Sequence, residues 1–330
     1  MLKPLNRPAL WKIVLALLIV YFVWGSTYLA IRVAVLGLPP FLFCAARYLA
    51  AGAIMLTLGF LLKHPLPSRR QGVTAAISGL LLLVGGNGAI VWAEQKIPSN
   101  LGALVVAGLP IWLLVWEGVR KDGDRPTPLG ITGLLLGLSG MAVLMGPALL
   151  GGHGLYGPPL YLTLALVGSI TWGFGQTFTR HGEMPGSNVM GNAISMLAAA
   201  FAFSLLAFFN GESARLNLSH PAPSAIWALL YLIVFGSCIA YSAFTWLVQN
   251  ASPAQVSTYA YVNPVVAILL GAWLLHEPLD GFMVLGTVLI LFSVALVNAH
   301  LFDRSLFQAL RFPGRRGPVP LPGDCSTSGS

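Results

Sequence analysis

Runs of about 20 apolar residues recur down the whole chain, each long enough to cross a hydrocarbon layer of about 30 Å as a helix. Inside a bilayer no water satisfies the backbone N–H and C=O groups, so segments of this kind are restricted to helices that close their own hydrogen bonds. Composition agrees: of 330 residues 56% are hydrophobic and 8% charged, against roughly a quarter charged in soluble domains. A soluble globule is excluded. The fold class is an all-α integral membrane protein, with the lipid bilayer as its first partner. Breaks at Pro, Gly and charged residues set ten spans near 11–34, 40–62, 71–93, 98–118, 127–147, 156–180, 187–209, 222–248, 253–275 and 280–301. The first follows Lys3, Arg7 and Lys12 as a signal peptide would. Its apolar stretch continues through Trp24 and Tyr28 with no small-residue cleavage site, so it is read as a span.

The net charge of +8 orients the chain rather than recruiting a nucleic acid, because the basic residues sit in short loops and in the C-terminal tail. With the N-terminus in the cytoplasm, 14 of the 18 Lys and Arg residues lie inside, all but Arg32, Arg47, Lys96 and Arg215. Cytoplasmic loops carry such an excess, so residues 1–10 and the tail at 302–330 are both expected inside. The tail, rich in Pro, Gly, Ser and Arg, is expected to be disordered. The ten acidic residues fall in loops, tails or helix ends, which disfavours coupling through a carboxylate at mid-membrane. Of the three cysteines, Cys44 and Cys238 lie in apolar runs and Cys325 in the tail, with no disulfide framework. No phosphate loop, metal cluster or nucleophile with its base stands out, so no enzyme, metal or cofactor is expected. His153, His181, His220 and His276 are read as solvated loop or helix-end residues.

The two halves resemble each other. Trp24-Gly25 followed by Arg32 is matched by Trp172-Gly173 followed by Arg180, an offset of 148. Gly86-Asn87 answers Gly236-Ser237, Pro40 and Arg47 answer Pro185 and Asn192, and Pro110 answers Pro264, in the same order. Five spans is an odd number, so the second half must cross in the opposite sense. The expectation is a 5+5 inverted repeat, residues 11–147 and 156–301 joined by an outside linker at 148–155. Carriers that expose one central site to each side in turn use this architecture.

Several of these residues carry a family resemblance. Trp24-Gly25-Ser26-Thr27-Tyr28, the Pro39-Pro40 turn leading to Arg47-Tyr48, the segment from Gly86 to Pro110, and Tyr259-Ala260-Tyr261-Val262-Asn263-Pro264-Val265 with Glu277 beyond it resemble the EamA-type branch of the drug/metabolite transporter superfamily. The resemblance extends over about residues 11–301. It implies ten helices, a multipass position in a bacterial inner membrane, and export of amino acids or related metabolites. Substrates vary widely within that family, so it names no cargo.

Helical spacing selects candidate cargo-facing residues. Tyr21, Trp24 and Tyr28 share one face of the first span, and Ser169, Trp172 and Gln176 share the matching face of the sixth. Trp24 lies about 20 Å beyond Trp11 at ~1.5 Å per residue, away from the interface that anchors Trp11, and either a pocket or a packing role fits it. Ser237, Tyr241, Thr245 and Gln249 form a polar stripe on the eighth span, answered by Asn87 and Gln95 on the third. It serves either to line a cavity or to bond helix to helix. Pro110 and Pro264 each remove a helical hydrogen bond, to Val106 and Ala260. Matched breaks point to a binding site, or are simple kinks; beside the second stand Gln255, Thr258, Tyr259 and Asn263. Arg47, well inside the second span, is either the partner of a cargo carboxylate or a snorkelling arginine paired with Glu94 or helix carbonyls. Gly130, Gly133, Gly137 and Gly140 are expected to permit close packing of the fifth span, and Leu289 to face lipid. The function read from these features is a secondary carrier for a small amphipathic metabolite such as an amino acid. A channel or a non-transporting structural subunit is the alternative, and saturable counterflow distinguishes them. No feature specifies an oligomeric state.

Overall fold

The computed structural model describes residues 9–93, 95–96, 105–123, 127–144, 159–215, 222–275 and 281–309. Among the described residues there is no strand, and ten helical rods follow one another. The first, α1, comprises Leu10–Ile19, a π-helical turn at Val20–Trp24 and Gly25–Gly37, and α2 is Pro40–Leu61. Next, α3 comprises Arg69–Gly79, a π-helical segment at Leu80–Gly88 and Ala89–Ala93; α4 is Leu109–Val119 and α5 is Pro128–Leu144. In the second half α6 is Pro159–His181 and α7 is Asn188–Phe209. There α8 comprises Pro223–Tyr231, a π-helical segment at Leu232–Tyr241 and Ser242–Asn250. Finally, α9 comprises Pro253–Ser257 and Tyr259–Leu275, and α10 is Gly281–Ala309.

Local chemistry sets the starts. Proline occupies the first turn of α2, α4, α8 and α9, where its missing N–H leaves no bond unmade. Ser68 and Ser252 close capping boxes with Gln71 and Gln255 ahead of α3 and α9. Six rods are long and apolar enough to cross a membrane: Leu10–Val35, Pro40–Leu61, Arg69–Ala93, Asn188–Phe209, Pro223–Asn250 and Gly281–Asn298. Shorter apolar helices cover Val105–Val119 and Pro128–Leu144. The last rod continues to Ala309, past the expected end at 301 and into the stretch assigned to a disordered tail.

The packing partners exchange when the halves are exchanged. Two pairs join equivalent rods, α2 with α7 and α5 with α10. Elsewhere α1 packs on α8 as α6 packs on α3, and α1 on α9 as α6 on α4. The bundle is therefore pseudo-twofold, and every element near its centre has a counterpart from the other half. Outward surfaces carry large apolar side chains, among them Phe201, Phe208, Leu285, Val288 and Phe292. Leu289, expected among them, is half-buried beside Gly140.

Glycine sets the α5–α10 distance. A Cβ on Gly137 would lie 2.5 Å from the Tyr261 ring and 2.7 Å from Ser293 Oγ, and Ser293 itself donates to the Gly133 carbonyl at 2.7 Å. The Gly137→Val variant should lose ~1–3 kcal/mol to overpacking, seen as a lower midpoint for thermal loss of the monodisperse peak in detergent. Gly72→Val, with nothing within 4 Å of its added Cβ, should stay near wild type. Equal midpoints for the two variants would refute this packing role.

Candidate functional site

At the pseudo-twofold centre the two halves contribute reciprocal contacts. Trp24 of α1 donates its indole N–H to the Gly236 carbonyl on the π segment of α8, at 3.2 Å. Trp172 of α6 lies against Gly86 on the π segment of α3, where an added Cβ would fall 2.6 Å from the indole ring. A π-helical turn widens the helix by an extra residue and is frequent at functional sites. Here each one presents a glycine to the tryptophan of the opposite half.

The two indoles meet edge to face with centroids 5.7 Å apart, and Phe244 and Tyr259 complete the cluster, 5.0 and 5.3 Å from Trp24. Trp24, Trp172 and Tyr259 of this cluster form the floor of a cavity of about 110 Å³, the same order as the ~150 Å³ cavity that holds a benzene molecule. Its walls come from α1 (Trp24, Thr27, Ile31), α2 (Arg47, Tyr48), α3 (Leu83, Gly86, Asn87, Ile90, Val91), α4 (Leu109) with Val106 just ahead of it, α6 (Gly168, Ser169, Trp172), α8 (Gly236, Ser237, Tyr241) and α9 (Tyr259, Asn263).

Past the floor, towards the ends where α1 and α9 start and α6 and α8 finish, the bundle is closed by polar contacts. Tyr21 and Thr258 hydroxyls lie 2.5 Å apart, as do those of Ser78 and Thr179. Arg180 donates to the carbonyls of Val248 and Ala251 at 2.6 and 2.5 Å, satisfying acceptors that the end of α8 leaves open. His181 pairs with the buried Glu117 at 3.0 Å. His181 is therefore not the solvated residue expected: Glu117, at the end of α4, holds it inside the bundle.

Of the candidate residues, Trp24, Arg47, Asn87, Trp172, Ser237, Tyr241, Tyr259 and Asn263 line the cavity together. Gln176 does not; it is buried one turn beyond Trp172, beneath the floor. Thr258 is buried with its hydroxyl shared between Tyr21 and the Gln255 carbonyl. The Tyr28 side chain, Glu94 and Glu277 lie outside the described residues. The discontinuities beside the two prolines fall at Gly108 and Thr258. Pro110 lies in the first turn of α4 rather than within a continuous helix, and Pro264 lies inside the second segment of α9. Asn263, its amide assigned from its neighbours, directs its nitrogen to the carbonyls of Tyr259 and Tyr21 at 3.2 and 3.3 Å.

Arg47 does not snorkel. It is 5% exposed, and its Nε donates to Ser237 Oγ at 2.8 Å. The guanidinium lies over the Tyr48 ring, 5.1 Å from the centroid, and the Tyr48 hydroxyl donates to Asn87 Oδ1 at 3.0 Å. Tyr48 and Thr27 were not among the residues expected to face the cargo, although both lie within the quoted motifs; the period of a single helix does not reveal which neighbour turns inward. The Arg47 Nη1 and Trp172 Nε1 donors are buried with no hydrogen-bond partner. Among the described residues Arg47 is the one charged side chain on the cavity wall.

Comparison with known proteins agrees with this architecture. The profile of the EamA-like transporter family matches residues 11–146 and again 159–299. The chain is 40% identical over 284 residues to the uncharacterized inner membrane transporter YedA of Escherichia coli (strain K12), covering 86% of this chain and 89% of that protein. It is 26% identical over 296 residues to a protein named "Probable amino-acid metabolite efflux pump" from the same strain, covering 84% and 91%. A solved crystal structure superposes with a TM-score of 0.72 at 19% identity, over 89% of this chain and 99% of that one, a likeness of fold. Two copies of the profile, reciprocal packing and a shared central cavity lead to one assignment: the chain belongs to the EamA-like transporter family.

Proposed function

We propose that this chain is a secondary carrier that exports a small amphipathic metabolite, such as an amino acid, across a bacterial inner membrane by alternating access. The observation that carries this reading is the central cavity itself: both halves build it, and it is sealed at one end only by aromatic rings and a few polar contacts. With ten spans, the five-helix halves opposed in the membrane and both termini cytoplasmic, the sealed end faces the cytoplasm. Rocking one half against the other would break that seal and form its counterpart outside. Aromatic walls suit the apolar part of a solute, while Arg47, Asn87, Ser237 and Asn263 supply polar contacts. The name of the efflux-pump relative supports a cargo of the amino-acid class. A channel would keep a continuous polar path, which the aromatic floor interrupts.

Counterflow in proteoliposomes tests the carrier reading: a preloaded panel of amino acids should drive saturable exchange of at least one labelled member. Absence of exchange across the panel, or flux that rises linearly with concentration, would contradict it. Trp24→Ala and Trp172→Ala should each reduce exchange by about fivefold or more, the loss of a buried aromatic contact being worth upwards of ~1 kcal/mol. Phe292→Ala, on an exposed face, should leave exchange unchanged. If all three variants behave alike, the cavity is not the path.

Orientation is checked separately. Single cysteines placed in 148–155 and near 215 should react with an impermeant thiol reagent from the periplasmic side. Reaction from the cytoplasmic side alone would invert the topology.

A further inference from the structure

Unmet donors on two residues that line the cavity identify a chemical class of cargo within the carrier reading, on which this inference rests. We propose that Arg47 and Trp172 bind a carboxylate on the cargo, so that the cavity takes small monocarboxylates with an apolar or aromatic body and does not require an ammonium group.

Burying a guanidinium costs free energy unless it is paired and hydrogen-bonded, yet Arg47 is 5% exposed with Nη1 unsatisfied. Its Nε is committed to Ser237 and its face to Tyr48, which fixes the plane of the fork and leaves Nη1, on the outer edge, unpaired. Such a planar edge matches the two oxygens of a carboxylate. The indole N–H of Trp172 can only donate, and it too is buried without an acceptor, on a residue that lines the same cavity. Gly236 makes room for the arginine, since a Cβ there would stand 3.0 Å from Nη2.

Among the described residues the counter-charge a cation would need is missing from the wall. No carboxylate lines the cavity among the described residues. Buried Glu212 is held at the start of α2, where Oε2 accepts from the N–H groups of Phe41 and Leu42 at 2.9 Å each. Buried Glu117 is paired with His181 beyond the floor. A cationic cargo would therefore meet Arg47 alone in a low-dielectric site, where like charges repel strongly. An ammonium group finds only neutral acceptors such as Asn87 and Ser237.

Calorimetric titration of the purified full chain in detergent with 3-phenylpropionate, 3-phenylpropionamide and phenethylamine isolates the carboxylate. Saturable binding of the carboxylate is expected, with the amide and the amine at least about tenfold weaker, as for loss of a charged hydrogen bond. Arg47→Gln should abolish the discrimination. Trp172→Phe keeps an aromatic ring, removes the N–H and should weaken the carboxylate several-fold, so it carries the test should Arg47→Gln fail to elute as a folded protein. The proposal is overturned if the amide or amine binds as tightly as the carboxylate, if the carboxylate does not bind, or if folded Trp172→Phe retains full affinity. Its failure is separable from that of the carrier reading: binding that depends on Trp172 without any counterflow would refute transport and leave this site standing. Counterflow of amines with no carboxylate binding would do the reverse.

Discussion

The bundle depends on one reciprocal contact, a tryptophan from each half seated on a glycine of the other half's π segment. Trp24 needs the Gly236 carbonyl and Trp172 needs the bare face of Gly86. A side chain at Gly86 would displace the indole, and ordinary α-helical winding through 80–88 or 232–241 would rotate the glycine and the adjoining Asn87 or Ser237 away from the centre. Because α1–α8 and α6–α3 are equivalent pairs, the contact is made twice, and the cavity falls between the two. Its floor and its polar wall follow from the same pair of contacts.

Symmetry at the centre gives way to asymmetry along the axis. At one end Arg180 ties α6 to the last carbonyls of α8, His181 ties α6 to α4, and Tyr21 ties α1 to α9. These contacts are few, directional and close to helix ends. Packed interfaces of this kind have discrete alternative arrangements rather than continuous deformations. In the proposed alternating-access cycle the first half would supply the counterpart seal, since Arg32 matches Arg180 in the register of the sequence repeat.

Much of this was legible in the sequence because it is periodic. Apolar runs broken at Pro, Gly and charged residues marked the rods, and the Trp-Gly, Pro-Arg and Gly-Asn/Gly-Ser registers marked the central elements. What escaped was whatever depends on a partner distant in sequence. Nothing local distinguishes a π segment from an α-helix in an apolar run, so the widening of α3 and α8 was not foreseen. Tyr48 follows Arg47 directly, and only the position of Asn87 on α3 turns its hydroxyl inward. His181 reads as a polar helix end until α4 brings Glu117 beside it. Leu289 reads as lipid-facing because Leu carries no mark of the glycine opposite. Proline located the break ahead of α4 to within two residues but missed that of α9 by six, Pro264 lying inside a continuous segment; the breaks themselves arise at Gly108 and at Thr258, whose hydroxyl competes for the Gln255 carbonyl.

The central claim, that one cavity opens to the two sides in turn, is tested most directly by locking its seal. Cysteines at positions 21 and 258, whose native side chains touch, would be bridged by a short reducible dithiol linker in a chain with Cys44, Cys238 and Cys325 replaced. A reporter cysteine at Ser169, on the cavity wall, would then be probed with an impermeant thiol reagent from each side of oriented vesicles, the link remaining in place. The account predicts reaction from the periplasmic side alone while the link holds, and from both sides in an otherwise identical chain whose Tyr21 and Thr258 are retained. Cytoplasmic labelling that is the same with and without the link would contradict it.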